Sequence, residues 1–105
     1  IRKNKYKNII GYGTSIGATT FIYEFNIANK ISFFVDDDTF RQNRYSPGSN
    51  IPVKSSNKIT IFNPDLIIIF APLYYKKIIK NIKNLKRNSV DVLLIWPKIK
   101  LIKLK

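Results

Sequence analysis

Gly11, Gly13 and Gly17 fall in a G-x-G-x-x-x-G spacing, and further on the apolar run Ile31-Ser32-Phe33-Phe34-Val35 stops at Asp36-Asp37-Asp38. Glycines at such spacing let the backbone turn tightly and approach an anion closely. The amides and dipole of a helix that follows them attract negative charge. An acid at the tip of the second strand, about twenty residues beyond the loop, is placed to accept hydrogen bonds from ribose hydroxyls. The chemistry is recognition of a ligand carrying phosphate and hydroxyl groups. Gly11, Tyr12, Gly13, Thr14, Ser15, Gly17 and Asp36 are the candidate binding residues. Arg41, Arg44 and Tyr45 lie in the polar segment beyond Asp36, where arginine can grip a diphosphate with paired donors.

The residue types that are missing narrow the function as much as those present. The chain has no histidine and no cysteine, which removes a serine–histidine triad, a thiolate metal site and a disulfide framework. Asp36 and Asp37 have no partner base in the sequence pattern, so they read as binding or solvated groups rather than an acid–base dyad. No catalytic residue is expected, and no metal site.

These groups need elements to hold them. Lys5 to Ile10 reads as an entering strand, and a helix is expected from about Ser15, where Ile16, Thr19, Thr20, Tyr23 and Ile27 recur at helical spacing. Ile31 to Val35 is a nearly unbroken apolar strand, as suits a parallel sheet covered on both faces. Ser46-Pro47-Gly48-Ser49 is the clearest turn, and Ile51-Pro52-Val53 reads as a short extended edge piece. Leu66 to Phe70 is the strongest strand in the sequence. Ile78, Ile79, Ile82 and Leu85 give residues 74–85 one apolar helical face opposite lysines. Val90 to Trp96 is a last buried strand stopped by Pro97, and residues 98–105 form either an edge strand or a frayed end. Tyr74, Tyr75 and Trp96 read as packing residues. The alternation predicts an α/β fold: a small Rossmann-like open, mostly parallel sheet of four or five strands with flanking helices.

At 105 residues the chain supports one domain, residues 1–105. Its first residues, Ile1-Arg2-Lys3, lack a methionine, which suggests a piece of something longer, and no apolar run is long enough for a spanning helix. A cytoplasmic location is the default expectation. The net charge of +13 raises the question of nucleic acid. Lysine, isoleucine, asparagine, phenylalanine and tyrosine together exceed half the chain, and all five have A/T-rich codons, so genome composition supplies the bias without a nucleic-acid partner.

The run Gly11-Tyr12-Gly13-Thr14-Ser15-Ile16-Gly17-Ala18-Thr19-Thr20-Phe21, with Phe34-Val35-Asp36-Asp37, Gln42 and Tyr45-Ser46-Pro47-Gly48-Ser49-Asn50-Ile51-Pro52-Val53, resembles the C-terminal domain of S-adenosylmethionine-dependent sugar C-methyltransferases. The resemblance implies a Rossmann-like domain behind an N-terminal zinc-binding motif and methyltransferase domain. It implies that S-adenosylmethionine sits on that companion domain, with no cofactor on this segment. The partner of this segment would be a nucleotide-sugar or similar small molecule. It also adds Ser46, Pro47, Gly48 and Asn50 to Arg44 and Tyr45 as positions facing a ligand or the companion domain. The sequence departs from the family pattern at Asn43 and Asn50, where relatives carry glycine and histidine, and at Ala71-Pro72-Leu73, where they carry an Ala-Trp-Arg type sequence. Two other readings remain: a stand-alone NAD(P)-type domain with pyrophosphate at Gly13 and ribose at Asp36, and a basic nucleic-acid-binding module with clustered lysines.

Overall fold

The computed structural model of the chain describes residues 6–13, 30–38, 42–45, 51–71, 74–85, 89–95 and 99–104. The helix expected from Ser15 and the turn at Ser46 to Ser49 lie outside them. The described residues form six strands and two helices in the order β1 (Ile9–Tyr12), β2 (Ile31–Val35), β3 (Val53–Lys54), α1 (Lys58–Phe62), β4 (Leu66–Ile69), α2 (Tyr75–Leu85), β5 (Val90–Leu94) and β6 (Lys100–Leu104). They form one sheet in the spatial order β3-β2-β1-β4-β5-β6. The first five strands run parallel, and β6 pairs antiparallel with β5. Strands rich in β-branched residues and buried on both faces suit such a parallel core. All four residues of β1 and of β4 are buried.

The two sheet faces carry separate apolar clusters. Ile10, Tyr12, Phe33, Val35, Ile67, Ile69, Val92 and Leu94 face one way, against Ile59 of α1 and Ile78 and Ile82 of α2. Ile9, Ile31, Phe34, Val53, Leu66, Ile68, Phe70 and Leu93 face the other. An irregularity between β1 and β2 makes this division possible. Ile9 pairs with Ile31 but Ile10 with Phe33, so Ser32 has no counterpart and is exposed. A single extra residue shifts the side-chain alternation by one, which puts Ile31 and Phe34 on the same face.

Some sequence expectations are corrected. The first strand runs later than Lys5 to Ile10, because Gly11 and Tyr12 pair in register with both Phe34-Val35 and Ile68-Ile69. Among the described residues the sheet has six strands rather than four or five. The tail is an edge strand, and helix α1 fills a stretch that reads as merely polar in sequence. Asn63 ends α1 in a left-handed conformation (φ 54°), with its N–H donated to the Ile59 carbonyl at 2.9 Å. Residues 43–45 turn back along β3: the Asn43 N–H donates to the Val53 carbonyl and the Val53 N–H to the Arg44 carbonyl, at 2.8 and 2.7 Å. Among the described helices, none is long and apolar enough to cross a membrane.

Candidate functional site

The strand order reverses between β1 and β4: from β1 the chain builds outward through β2 and β3, then returns to place β4 on the other side. An open α/β sheet places its crevice at such a reversal, beyond the carboxyl ends of the strands. A cleft of about 440 Å³ lies there, within the usual range for small-molecule sites. Its floor is Tyr12, Gly13 and Ala71, at the ends of β1 and β4. Asp36, Asp37 and Asp38 form one wall, and Tyr74, Lys77 and Ile78 form the other, at the start of α2.

The floor is fixed by backbone bonds running to both sides of β1. The Gly13 N–H donates to the Val35 carbonyl at 2.8 Å, and the Phe70 N–H donates to the Tyr12 carbonyl at 2.9 Å. Gly13 adopts φ +88°, and a Cβ there would stand 2.7 Å from the Ala71 Cβ. Glycine is required at this position on both grounds. Gly11 has a different reason. It lies inside β1, where a Cβ would collide with the Phe34 ring and stand 2.9 Å from that of Phe70. Those rings meet edge to face at 5.4 Å, so Gly11 makes room for packing and does not line the cleft.

Behind the acidic wall lies a hydrogen-bonded group that sequence reading misses. The Tyr12 hydroxyl donates to Asp37 Oδ2 at 2.8 Å, and the Ser56 hydroxyl donates to Asp37 Oδ1 at 2.7 Å. The Asn81 amide of α2 donates to the Tyr12 oxygen at 2.5 Å and makes a longer contact with the Ser56 oxygen at 3.5 Å. Burial pushes the Tyr12 hydroxyl up to about 12, and its bond to Asp37 acts in the same direction. Among the described residues no buried polar side-chain atom lacks a partner.

Asp36, singled out in the sequence, lines the cleft while one of its oxygens accepts the Asp38 N–H at 2.9 Å. Its carbonyl accepts the Gln42 side-chain amide at 2.8 Å. Arg44 and Tyr45 are exposed beside β3, two strands away from β1, and neither lines the cleft. Of the tyrosine pair, Tyr75 packs on the core, whereas Tyr74 is 64% exposed at the cleft wall. Thr14, Ser15, Gly17, Ser46, Pro47, Gly48 and Asn50 lie outside the described residues, as do Arg41 and Trp96. One clue to the missed group stands in the sequence: asparagine is a weak helix former, yet Asn81 sits in mid-helix between Ile78 and Ile82. Among the described residues no cluster of three histidine, cysteine, aspartate or glutamate side chains could hold a metal ion.

A mostly parallel sheet in 3-2-1-4-5-6 order, with a glycine turn after the first strand and acids after the second, defines a Rossmann-like α/β domain. The family model for the C-methyltransferase C-terminal domain matches residues 2–97, and the chain belongs to that family. Among solved structures, the crystal structure of UDP-D-quinovosamine 4-dehydrogenase from Vibrio fischeri is similar, with a TM-score of 0.64 at 16% sequence identity, over 94% of this chain and 93% of that one. That likeness is one of fold. No curated protein matches the sequence.

Proposed function

We propose that residues 1–105 act as a single domain that anchors a nucleotide-linked sugar, as the C-terminal part of a longer S-adenosylmethionine-dependent C-methyltransferase. The methyl donor would be held by an N-terminal companion domain. The observation that carries this reading is the cleft at the reversal of strand order, with carboxylates along one wall and Lys77 on the other. Carboxylates accept hydrogen bonds from sugar hydroxyls, and an ammonium group meets phosphate oxygens. Gly13 lets a ligand come close to the backbone between the two walls. With no histidine or cysteine, the domain's part is to bind and orient rather than to move protons. The name of the structural neighbour contains UDP-D-quinovosamine, a ligand of the proposed class, but the proposal rests on the family and the cleft.

The test is a titration with UDP-glucose followed by amide chemical shifts. Shifts at Gly13, Asp36 to Asp38 and Tyr74 to Ile78 are expected. No perturbation at these positions overturns the reading, and tighter binding of NAD than of UDP-glucose replaces it with a dinucleotide-binding domain.

A further inference from the structure

The two edges of the sheet are finished differently. At β3 the chain covers its own edge. The Asn43 N–H donates to the Val53 carbonyl, the Val53 N–H donates to the Arg44 carbonyl, and Tyr45 bridges Pro52 in antiparallel fashion. On the other side β6 ends the strand order, and no described strand lies beyond it. An edge with free N–H and C=O groups is a template for a further strand unless something covers it.

The free groups of β6 follow from the bonds of β5. A residue in a parallel strand turns its N–H and C=O to the same neighbour, and successive residues alternate. The Asp91 N–H donates to the Asp65 carbonyl at 3.1 Å, toward β4. Val90, Val92 and Leu94 therefore turn to β6, where they pair with Leu104, Ile102 and Lys100. That leaves the N–H and C=O groups of Leu101 and Lys103 aimed outward.

The side chains at this edge sort by face. Ile102 and Leu104 pack on the α2 side, and alternation puts Lys100 on that side too. Helix α2 adds the exposed Lys76, Lys80 and Lys83 there and contains no acid. On the opposite face Leu101 stands beside Leu93 and is 43% exposed, and Ile99 just before the strand is 64% exposed. The edge thus offers apolar side chains on one face and cations on the other. A matching strand alternates apolar and acidic residues, which sends each kind to its own face. A second copy of the chain does not match, because its β6 has two lysines and no acid and each copy brings a net charge of +13.

We propose that the outer edge of β6 is a docking site for another protein, taking an extended acidic segment that adds as one more strand. Its apolar side chains cover Leu101 and Ile99, and its carboxylates face Lys100. Main-chain bonds to Leu101 and Lys103 supply the register. No residue of β6 lines the cleft, so this docking is independent of the ligand held there.

The test is a titration of the chain with a blocked peptide of about six residues alternating valine and glutamate, the ordinary length of a strand. Amide chemical shifts and amide hydrogen exchange are read, and a peptide alternating valine and lysine is the control. The acidic peptide should shift residues 99–104 and slow exchange at Leu101 and Lys103, and the basic peptide should do neither. Lys100→Glu sets a like charge opposite the glutamates and should weaken the acidic peptide by about three- to tenfold. Leu101→Pro should abolish binding, since it removes an outward N–H and leaves the bonds to β5 in place. Should Leu101→Pro fail to fold, as judged by circular dichroism, Lys100→Glu and the exchange rates at Leu101 and Lys103 decide the matter. Equal binding of the two peptides, shifts without slowed exchange at Leu101 and Lys103, or no binding of the acidic peptide overturns the proposal. Dimers of the chain alone in sedimentation equilibrium, lost in Leu101→Pro, give the edge to a second copy and overturn it as well.

Discussion

Tyr12 has two duties that pull on one side chain. Its ring is part of the core, 2% exposed, and its hydroxyl serves the polar ring around Asp37. Burial and the neighbouring carboxylate both disfavour the phenolate, so its folded-state value is raised from 10.0 to about 12. A raised value means that the folded state keeps its proton where the unfolded chain has lost it. The resulting stabilisation is complete below pH 10 and is lost as pH rises through about 12. Urea denaturation of the wild type should therefore show falling stability above pH 10. In Tyr12→Phe that fall should be shallower, though not absent, because Tyr6 is also raised to about 12, by burial and its bond to Asp91. At neutral pH the same substitution should lower stability by about 1.5–3 kcal/mol, as expected for a lost bond to a charged group. The glycine pattern was legible as a backbone device, but its division of labour was not. Gly11 answers to Phe34 and Phe70, which come near only when β2 and β4 flank β1. Asp37 was likewise overshadowed by Asp36, since a strand tip shows in sequence and a hydroxyl from α2's side of the sheet does not.

Periodicity served well for long elements and poorly for short ones. Helix α2 announced itself through Ile78, Ile79, Ile82 and Leu85, and the structure buries Ile78 and Ile82 as its inner face. Ile82 is fully buried against the sheet. Ile82→Ala should cost about 2–5 kcal/mol in chemical denaturation, through lost burial and the cavity left behind. The exposed face of the same helix carries lysines, where alanine should cost far less. Helix α1 has only five residues and one buried side chain, Ile59, too little to form a pattern. Its one signal was Asn63 before Pro64, a left-handed cap ahead of a residue that cannot continue a helix. Strand β3 has two residues, and its pairing depends on β2 rather than on its own composition. The tail stayed open between an edge strand and a frayed end because the inward residues of β6 are few: Ile102 and Leu104 turn toward the α2 side, while Leu101 and Ile99 are exposed.

The whole molecule has a net charge of +13 and a handful of acids, and their placement matters more than the total. The described lysines spread over both sheet ends, α2 and β6: Lys7, Lys30, Lys54, Lys58, Lys76, Lys80, Lys83, Lys100 and Lys103 are all exposed. Unbalanced charge of one sign repels itself in the compact state, and salt screens that repulsion. Thermal melting should thus shift upward as sodium chloride is raised from about 0.01 M to about 0.15 M, over which the screening length shortens from about 30 to about 8 Å. The alternation of strands and helices, read from sequence, gave the layered sheet. The return of the chain from β3 across to β4, which opens the cleft, is a matter of spatial order that no local pattern records.

The two rims of the sheet are held by different acids. At the amino ends, Asp65 accepts the Lys7 and Asn8 amides, both at 2.9 Å, and Asp91 accepts the Tyr6 hydroxyl at 2.6 Å. At the carboxyl ends, Asp37 gathers Tyr12, Ser56 and Asn81. The rims are separated by the full length of the strands, so selection can act on them independently. A saturation library scored once for solubility and once for ligand capture would divide along this line. Changes around Asp65 and Asp91 would register only in the first screen, and changes around Asp37 in both. The amino rim is therefore where this scaffold can be hardened a strand's length away from the cleft.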